Sequence, residues 1–186
     1  MKRITAVLLM LVLLSGCTGK RDELDRAMKL RASLLGCLGC TFDVTVTADY
    51  GDELYEFAMN CSTGGRGDVD FTVTKPETIA GITGSISSGE GKLTFDGAAL
   101  QFPLLADDQV TPISGPWILV KTLIGGYLTA ANEEDDLLHL TINDSYEEDA
   151  LQMEIWLNAE DSPVSAEILY DGRRIVTMTV ENFQLR

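Results

Sequence analysis

Two periodicities divide the chain. From Lys20 to Leu35 the apolar residues Leu24, Ala27, Met28, Leu34 and Leu35 recur at helical spacing among charged ones, which predicts an amphipathic helix. The period then drops to two. Phe42, Val44 and Val46 alternate with Asp43, Thr45 and Thr47, and beyond the turn Asp49-Tyr50-Gly51-Asp52 the residues Tyr55, Phe57 and Met59 make a second alternating run. Pairing Phe42 with Met59, Val44 with Phe57 and Val46 with Tyr55 collects every apolar side chain on one face of a hairpin, and a slip of one residue would send them all to the other. After the glycine-rich turn Ser62 to Gly67, a third strand sets Val69 opposite Met59, Phe71 opposite Phe57 and Val73 opposite Tyr55. A further hairpin joins Ile82 to Ser87 with Lys92 to Asp96 across Ser88-Gly89-Glu90-Gly91, matching Ile86 to Leu93 and Gly84 to Phe95.

The run Trp117-Ile118-Leu119-Val120, then Leu123, Ile124, Tyr127 and Leu128, is apolar around most of its circumference. It predicts a largely covered helix from Pro116 to Ala131, with proline at the start, where the missing N–H does no harm. The last third returns to strands: Leu138, Leu140 and Ile142 pair with Ile155, Met153 and Leu151, Val164 to Tyr170 follow, and Asp171-Gly172 turns the chain into a final strand with Val176, Met178 and Val180. A helix, several antiparallel strands, a buried helix and four more strands make an α+β chain.

The first residues belong to another category. Lys2 and Arg3 precede the apolar run Ile4 to Leu14 and the small pair Ser15-Gly16, the layout of an export signal. Eleven residues at 1.5 Å rise fall short of a hydrocarbon core of about 30 Å, so this segment is not a permanent span. Leu14-Ser15-Gly16-Cys17 resembles the lipobox of bacterial lipoproteins, which implies cleavage before Cys17 and diacylglyceryl attachment to its thiol. Two acyl chains hold a protein stably on a membrane where a single chain would not. The expected organisation is a signal peptide over 1–16 and one domain over 17–186, with 17–19 as anchor and short tether.

Charge narrows the partners. The formal charge is −15, and removal of Lys2 and Arg3 with the signal takes it to −17, which repels phosphate backbones and excludes nucleic acid. The clusters Glu133-Glu134-Asp135-Asp136 and Glu147-Glu148-Asp149 lack the alternating ligands and glycine of a calcium loop, and they read as solvated loops. His139 is the single histidine; with Asp144 and Ser145 as sequence neighbours on one strand and its turn, it does not make a catalytic triad. No phosphate loop, zinc-protease helix or dinucleotide fingerprint is present, so no catalytic residue, metal or cofactor is expected. Cys37 and Cys40 have a Cys-x-x-Cys spacing, but it joins a helix end to an antiparallel strand and not the βαβ setting of a redox motif. Zinc ligation by Cys37, Cys40, Cys61 and His139 lacks a second closely spaced ligand pair. Arg66-Gly67-Asp68 arises from a glycine turn between strands. The strand pairing above also sets Cys40 opposite Cys61, which predicts a disulfide on an oxidising face, with a Cys37 to Cys61 bridge as rival.

The leading helix, Phe71-Thr72-Val73-Thr74-Lys75-Pro76, Gly91-Lys92-Leu93-Thr94-Phe95-Asp96-Gly97 and Glu181-Asn182-Phe183-Gln184-Leu185 together resemble the superfamily of the lipoprotein carriers LolA and LolB. That superfamily also takes in mycobacterial lipid-carrier lipoproteins and a sigma-factor regulator domain, and clostridial germination lipoproteins are similar. The resemblance implies a curved antiparallel half-barrel whose apolar concave face is covered by helices and holds acyl chains. On the pattern above, that face carries Val44, Val46, Tyr55, Phe57, Phe71, Trp117, Ile124, Tyr127 and Met153 as ligand-lining residues. A soluble shuttle has no anchor, whereas Cys17 tethers this chain. Two functions follow: a lipid-anchored extracytoplasmic binder of a lipid or lipoprotein acyl chain, or a non-enzymatic scaffold for an envelope or spore-wall enzyme.

Overall fold

The computed structural model describes residues 19–51, 53–64, 67–103, 105–106, 109–147 and 150–186. Residues 1–18, and with them the signal segment and Cys17, lie outside the described residues, as does Arg66 of the adhesion-like triplet. Helix α1 covers Gly19–Gly36. It is followed by strands β1 Cys40–Asp49, β2 Leu54–Thr63, β3 Val69–Lys75, β4 Thr83–Ser87, β5 Glu90–Phe95 and β6 Ala98–Pro103, then two short strands β7 Leu105–Ala106 and β8 Gln109–Val110. Helix α2, Gly115–Gly125, precedes β9 Tyr127–Glu134, β10 Leu137–Asn143, β11 Gln152–Leu157, β12 Pro163–Tyr170 and β13 Arg173–Leu185.

Eleven strands make one antiparallel sheet in the order β6-β5-β4-β3-β2-β1-β13-β12-β11-β10-β9. The topology is two meanders. The first runs from β1 outward to β6; the chain then crosses through α2 to the far edge and returns through β9 to β13, which closes against β1. The sheet stays open, with β6 and β9 as its edges, and both helices pack on one face, so the α+β class holds. Among the described residues no helix is long and apolar enough to cross a membrane.

That face is the one the alternation picks out. Cys40, Phe42, Val44, Val46 and Ala48 of β1, Leu138, Leu140 and Ile142 of β10, Met153, Ile155 and Leu157 of β11, and Val176, Met178 and Val180 of β13 are all buried in one cluster with Ala27, Leu30 and Leu34 of α1 and Ile118, Leu119, Val120 and Leu123 of α2. Burying a side chain of this size contributes about 1.5 to 3 kcal/mol, so the cluster dominates stability.

The expected registers need correction. Val44 lies opposite Met59 and Val46 opposite Phe57, one residue pair further along than expected, and Phe42 faces Cys61. Cys40 therefore meets Thr63 and not Cys61: its amide donates to Thr63 Oγ1 at 2.8 Å, and Cys37, Cys40 and Cys61 are free thiols. Cys40 and Cys61 do not stand directly opposite each other across the hairpin, as the expected disulfide required. On β3, Val73 faces Met59 and Phe71 faces Cys61. In the next hairpin Gly84 faces Leu93 and Ile86 faces Gly91, because the turn is the two-residue Ser88-Gly89, both left-handed (φ 52° and 86°), and not four residues. Leu138, Leu140 and Ile142 pair with Leu157, Ile155 and Met153, again one pair along.

The second helix is shorter than expected. It stops at Gly125, and Gly126 donates its N–H to Thr122 O at 2.8 Å as the chain leaves the helix. A Cβ at Gly126 would lie 2.6 Å from Ile142 Cγ2, so glycine lets the helix end pass close over β10. Tyr127 and Leu128 accordingly sit on the edge strand β9 and not on a helix.

Candidate functional site

The nine expected ligand-lining residues separate into three groups. Val44, Val46, Phe71 and Met153 are at most 4 % exposed, inside the packed core. Phe57, Trp117 and Ile124 are half-buried on its margin, Trp117 with the Lys121 ammonium 5.1 Å from its ring centroid. Tyr55 and Tyr127 are exposed. Tyr55 projects at the tip of the β1–β2 hairpin, its ring edge-on to Tyr50 at 6.1 Å, whereas Tyr127 rests against Tyr146 on the β9 edge. The structure does not bring these three groups together in one pocket.

What the sequence pattern missed is where the apolar face is left open. Three rows of residues run across β1 to β6 on this face. In one, Val44, Met59, Val73, Ile82, Phe95 and Ala98 follow in order; in the next, Phe42, Cys61, Phe71, Gly84, Leu93 and Leu100. Both rows begin buried and end exposed: Val73 is 2 % exposed and Phe95 56 %, Phe71 4 % and Leu100 64 %. The third row, Thr63, Val69, Ile86, Gly91 and Phe102, stays covered, and Gly91 makes room for the Phe102 ring, which a Cβ at Gly91 would approach to 2.1 Å. Gly84 does the same for Phe71, whose Cζ would lie 2.3 Å from a Cβ there. Glycines thus make room for the Phe71 and Phe102 rings beside Leu93, Phe95 and Leu100.

The helices explain the gradient. A Cβ on Gly115, at the start of α2, would lie 3.0 Å from Met178 Sδ, and its end crosses Ile142, so α2 spans β13 to β10. Helix α1 packs against α2 and β9. Arg31 of α1 donates to Leu123 O at 2.8 Å, Gly126 O at 2.8 Å and Thr122 O at 3.4 Å, the last shared with the Gly126 N–H, placing a cation on the carbonyls at the end of α2. Arg26 meets Asp161 Oδ1 at 2.7 Å and Asn158 O at 3.0 Å. Both clamps hold the helical cover over the β9–β13 half, away from β4 to β6.

Two other hollows are distinct from this rim. One, of about 720 Å³, lies on the polar face of β13 and β1 to β5 and is lined by Asp43, Asn60, Ser62, Asp70, Lys92 and Asn182 among others. There Asn60 and Asn182 both donate to Asp43, the latter at 2.7 Å from a bulge with φ 54°. Its hydroxyls, amides and carboxylates do not suit an acyl chain. The other, about 340 Å³, lies between Leu24 of α1 and residues 128–132 of β9.

His139 is on the polar face. Its Nδ1 is 3.1 Å from Glu134 Oε2, its Nε2 meets Glu154, and its ring stacks on Trp156 at 4.5 Å. Asp144 instead accepts from the Leu151 amide, and Ser145 Oγ accepts from the Glu147 amide, so neither partners the imidazole. Among the described residues no group of three or more His, Cys, Asp or Glu could hold a metal ion. Burial pushes the Cys61 thiol well above its ordinary range, with Asp43 adding to the effect, and raises Cys40 in the same direction.

No family model matches the chain, and no curated protein matches it. Solved structures similar to it include an uncharacterized conserved protein from Thermus thermophilus, 15% identical over 89% of this chain and 86% of that one, with a TM-score of 0.46. A LolA superfamily protein from Nitrosomonas europaea is 10% identical over 86% and 93%, with a TM-score of 0.44. The lipoprotein LppX of Mycobacterium tuberculosis is 10% identical over 87% and 93%, with a TM-score of 0.41.

Proposed function

We propose that this chain is a non-enzymatic lipoprotein, processed before Cys17 and anchored by lipid on the extracytoplasmic face of a bacterial membrane, which holds an acyl chain or similar apolar ligand on the open end of its helix-covered sheet face. The observation that carries the ligand site is the exposure gradient along the two rows that reach Phe95 and Leu100. A contiguous apolar surface that emerges from beneath a packed core offers a ligand burial without reopening the core. The binding surface is then Ile82, Leu93, Phe95 and Leu100, with Phe71 as its buried floor. Val44, Val46 and Met153 belong to the packed core and not to this surface.

The test is displacement of a fluorescent sixteen-carbon fatty acid from the chain lacking residues 1–17. Saturable binding that weakens at least tenfold in Phe95→Glu/Leu100→Glu, with little change in melting temperature, is the expected result. No saturable binding, or binding indifferent to both substitutions, sinks the reading; a protein captured through the same two residues would favour the scaffold. The anchor is tested separately, since Cys17→Ala moves the protein out of the membrane fraction and removes the lipid from its intact mass.

A further inference from the structure

We propose that α1 lies in the membrane interface, its outer face embedded among lipid head groups and the first acyl methylenes. This inference rests on lipid attachment at Cys17 and concerns a surface other than the ligand rim.

The helix has two apolar stripes, and only one is used by the fold. Ala27, Leu30 and Leu34 are buried against the core. Leu24, Met28 and Leu35 are 46, 48 and 64 % exposed, although at 100° per residue they fall within about 40° of one another around the axis. Leu38, just past the helix end, is 84 % exposed. From Leu24 to Leu35 the stripe runs about 16 Å, longer than scattered single leucines on a surface would account for. Between the buried and exposed stripes stands Arg31, which is taken up by the carbonyls at the end of α2, and the side of the helix away from both stripes carries the exposed Asp22, Lys29 and Ser33.

Chain length says what covers the stripe. Helix α1 begins at Gly19, two residues after Cys17, and two extended residues reach about 7 Å at most. A cysteine whose acyl chains are in the bilayer therefore holds the first turn of α1 at the head-group level. A helix pinned there with leucines facing outward loses free energy by lying flat, since burial of its apolar face about 5 to 10 Å into the boundary is the ordinary state of interfacial helices. Attraction to anionic lipid is not the cause, because the chain is strongly acidic; the occupant is the apolar boundary of the bilayer itself. The sheet order then puts the β9 edge beside the membrane and the β6 edge, with its apolar rim, at the far side of the sheet.

The experiment places a photoreactive benzoylphenylalanine at Met28, or at Ser33 on the opposite side of the helix, in the full chain expressed with its signal. Each protein is reconstituted into phosphatidylcholine vesicles and irradiated. Intact mass and flotation first report whether Cys17 carries lipid and the protein is anchored. In anchored protein the expected result is at least tenfold more lipid adduct from Met28 than from Ser33, lost in Leu24→Ser/Leu35→Ser. Equal adduct from the two positions in anchored protein overturns the interfacial placement and leaves the anchor standing. Absence of lipid on Cys17 overturns both.

Discussion

Arg31 joins the two helices by chemistry that has no trace in the sequence pattern. Its three acceptors are backbone carbonyls more than ninety positions away, and any residue would supply them; only the fold brings them to one guanidinium. Hydrogen bonds to a charged donor contribute more than neutral ones, and the planar fork fits several acceptors at once. Arg31→Ala should therefore cost about 2 to 3 kcal/mol in urea unfolding, with Arg31→Lys recovering only part. The buried thiols make a second residue-level prediction. Folding holds Cys61 neutral above its ordinary value of 9.0, so its contribution is fully present below that pH and is lost as pH rises toward the folded value. Stability should fall from about pH 9 upward with a slope approaching 1.4 kcal/mol per pH unit from this group. Urea midpoints between pH 8 and pH 10 would show it, and the slope should flatten in Cys61→Ala; an unchanged slope in the variant would exclude Cys61 as its source.

At the scale of elements, the sequence told which side chains share a face but not which residues stand opposite. Val44 and Val46 stay on the apolar side whether they meet Phe57 and Tyr55 or, as found, Met59 and Phe57, because a shift by a whole residue pair preserves the alternation. Turn geometry decides between such registers, and Ser88-Gly89, with both residues left-handed, closes a tighter hairpin than the four-residue turn the glycines suggested. The end of α2 was hidden for a similar reason: Tyr127 and Leu128 continue an apolar run, and the stop at Gly125-Gly126 comes from close passage over Ile142, a tertiary demand. Gly84 tests this kind of constraint. A methyl group there would press on the Phe71 ring and on Lys92 O, 2.7 Å away, so Gly84→Ala should cost about 1 to 3 kcal/mol. In the Phe71→Leu background the same change should cost less. Additive effects in that double-mutant cycle would mean the ring is not what excludes the Cβ.

Across the whole molecule, the sequence supplied one amphipathic sheet and enough helix to cover part of it. The boundary of that cover was not legible, because it depends on where α1 and α2 settle. Arg26 and Arg31 fix them over the β9–β13 half, so burial is nearly complete from β10 through β13 to β1 and thins toward β6. Local stability should follow the same gradient, since segments with few buried apolar neighbours open at lower free energy than the core. Amide hydrogen exchange resolved by peptide should be slowest in β1 and β13, intermediate in β3, and fastest among the first meander in β5 and β6. A fatty acid on the Leu93, Phe95 and Leu100 rim would bury those side chains only in the bound state. Exchange in β5 and β6 should then slow with ligand by roughly the factor the binding equilibrium supplies, about 100-fold at a hundred times the dissociation constant if opening there expels the ligand. β1, already protected by the core, should change far less. Uniform slowing over all eleven strands would mean that ligand stabilises the fold as one unit and that the rim has no separate opening. No slowing in β5 and β6 at saturating ligand would remove this surface as the binding site.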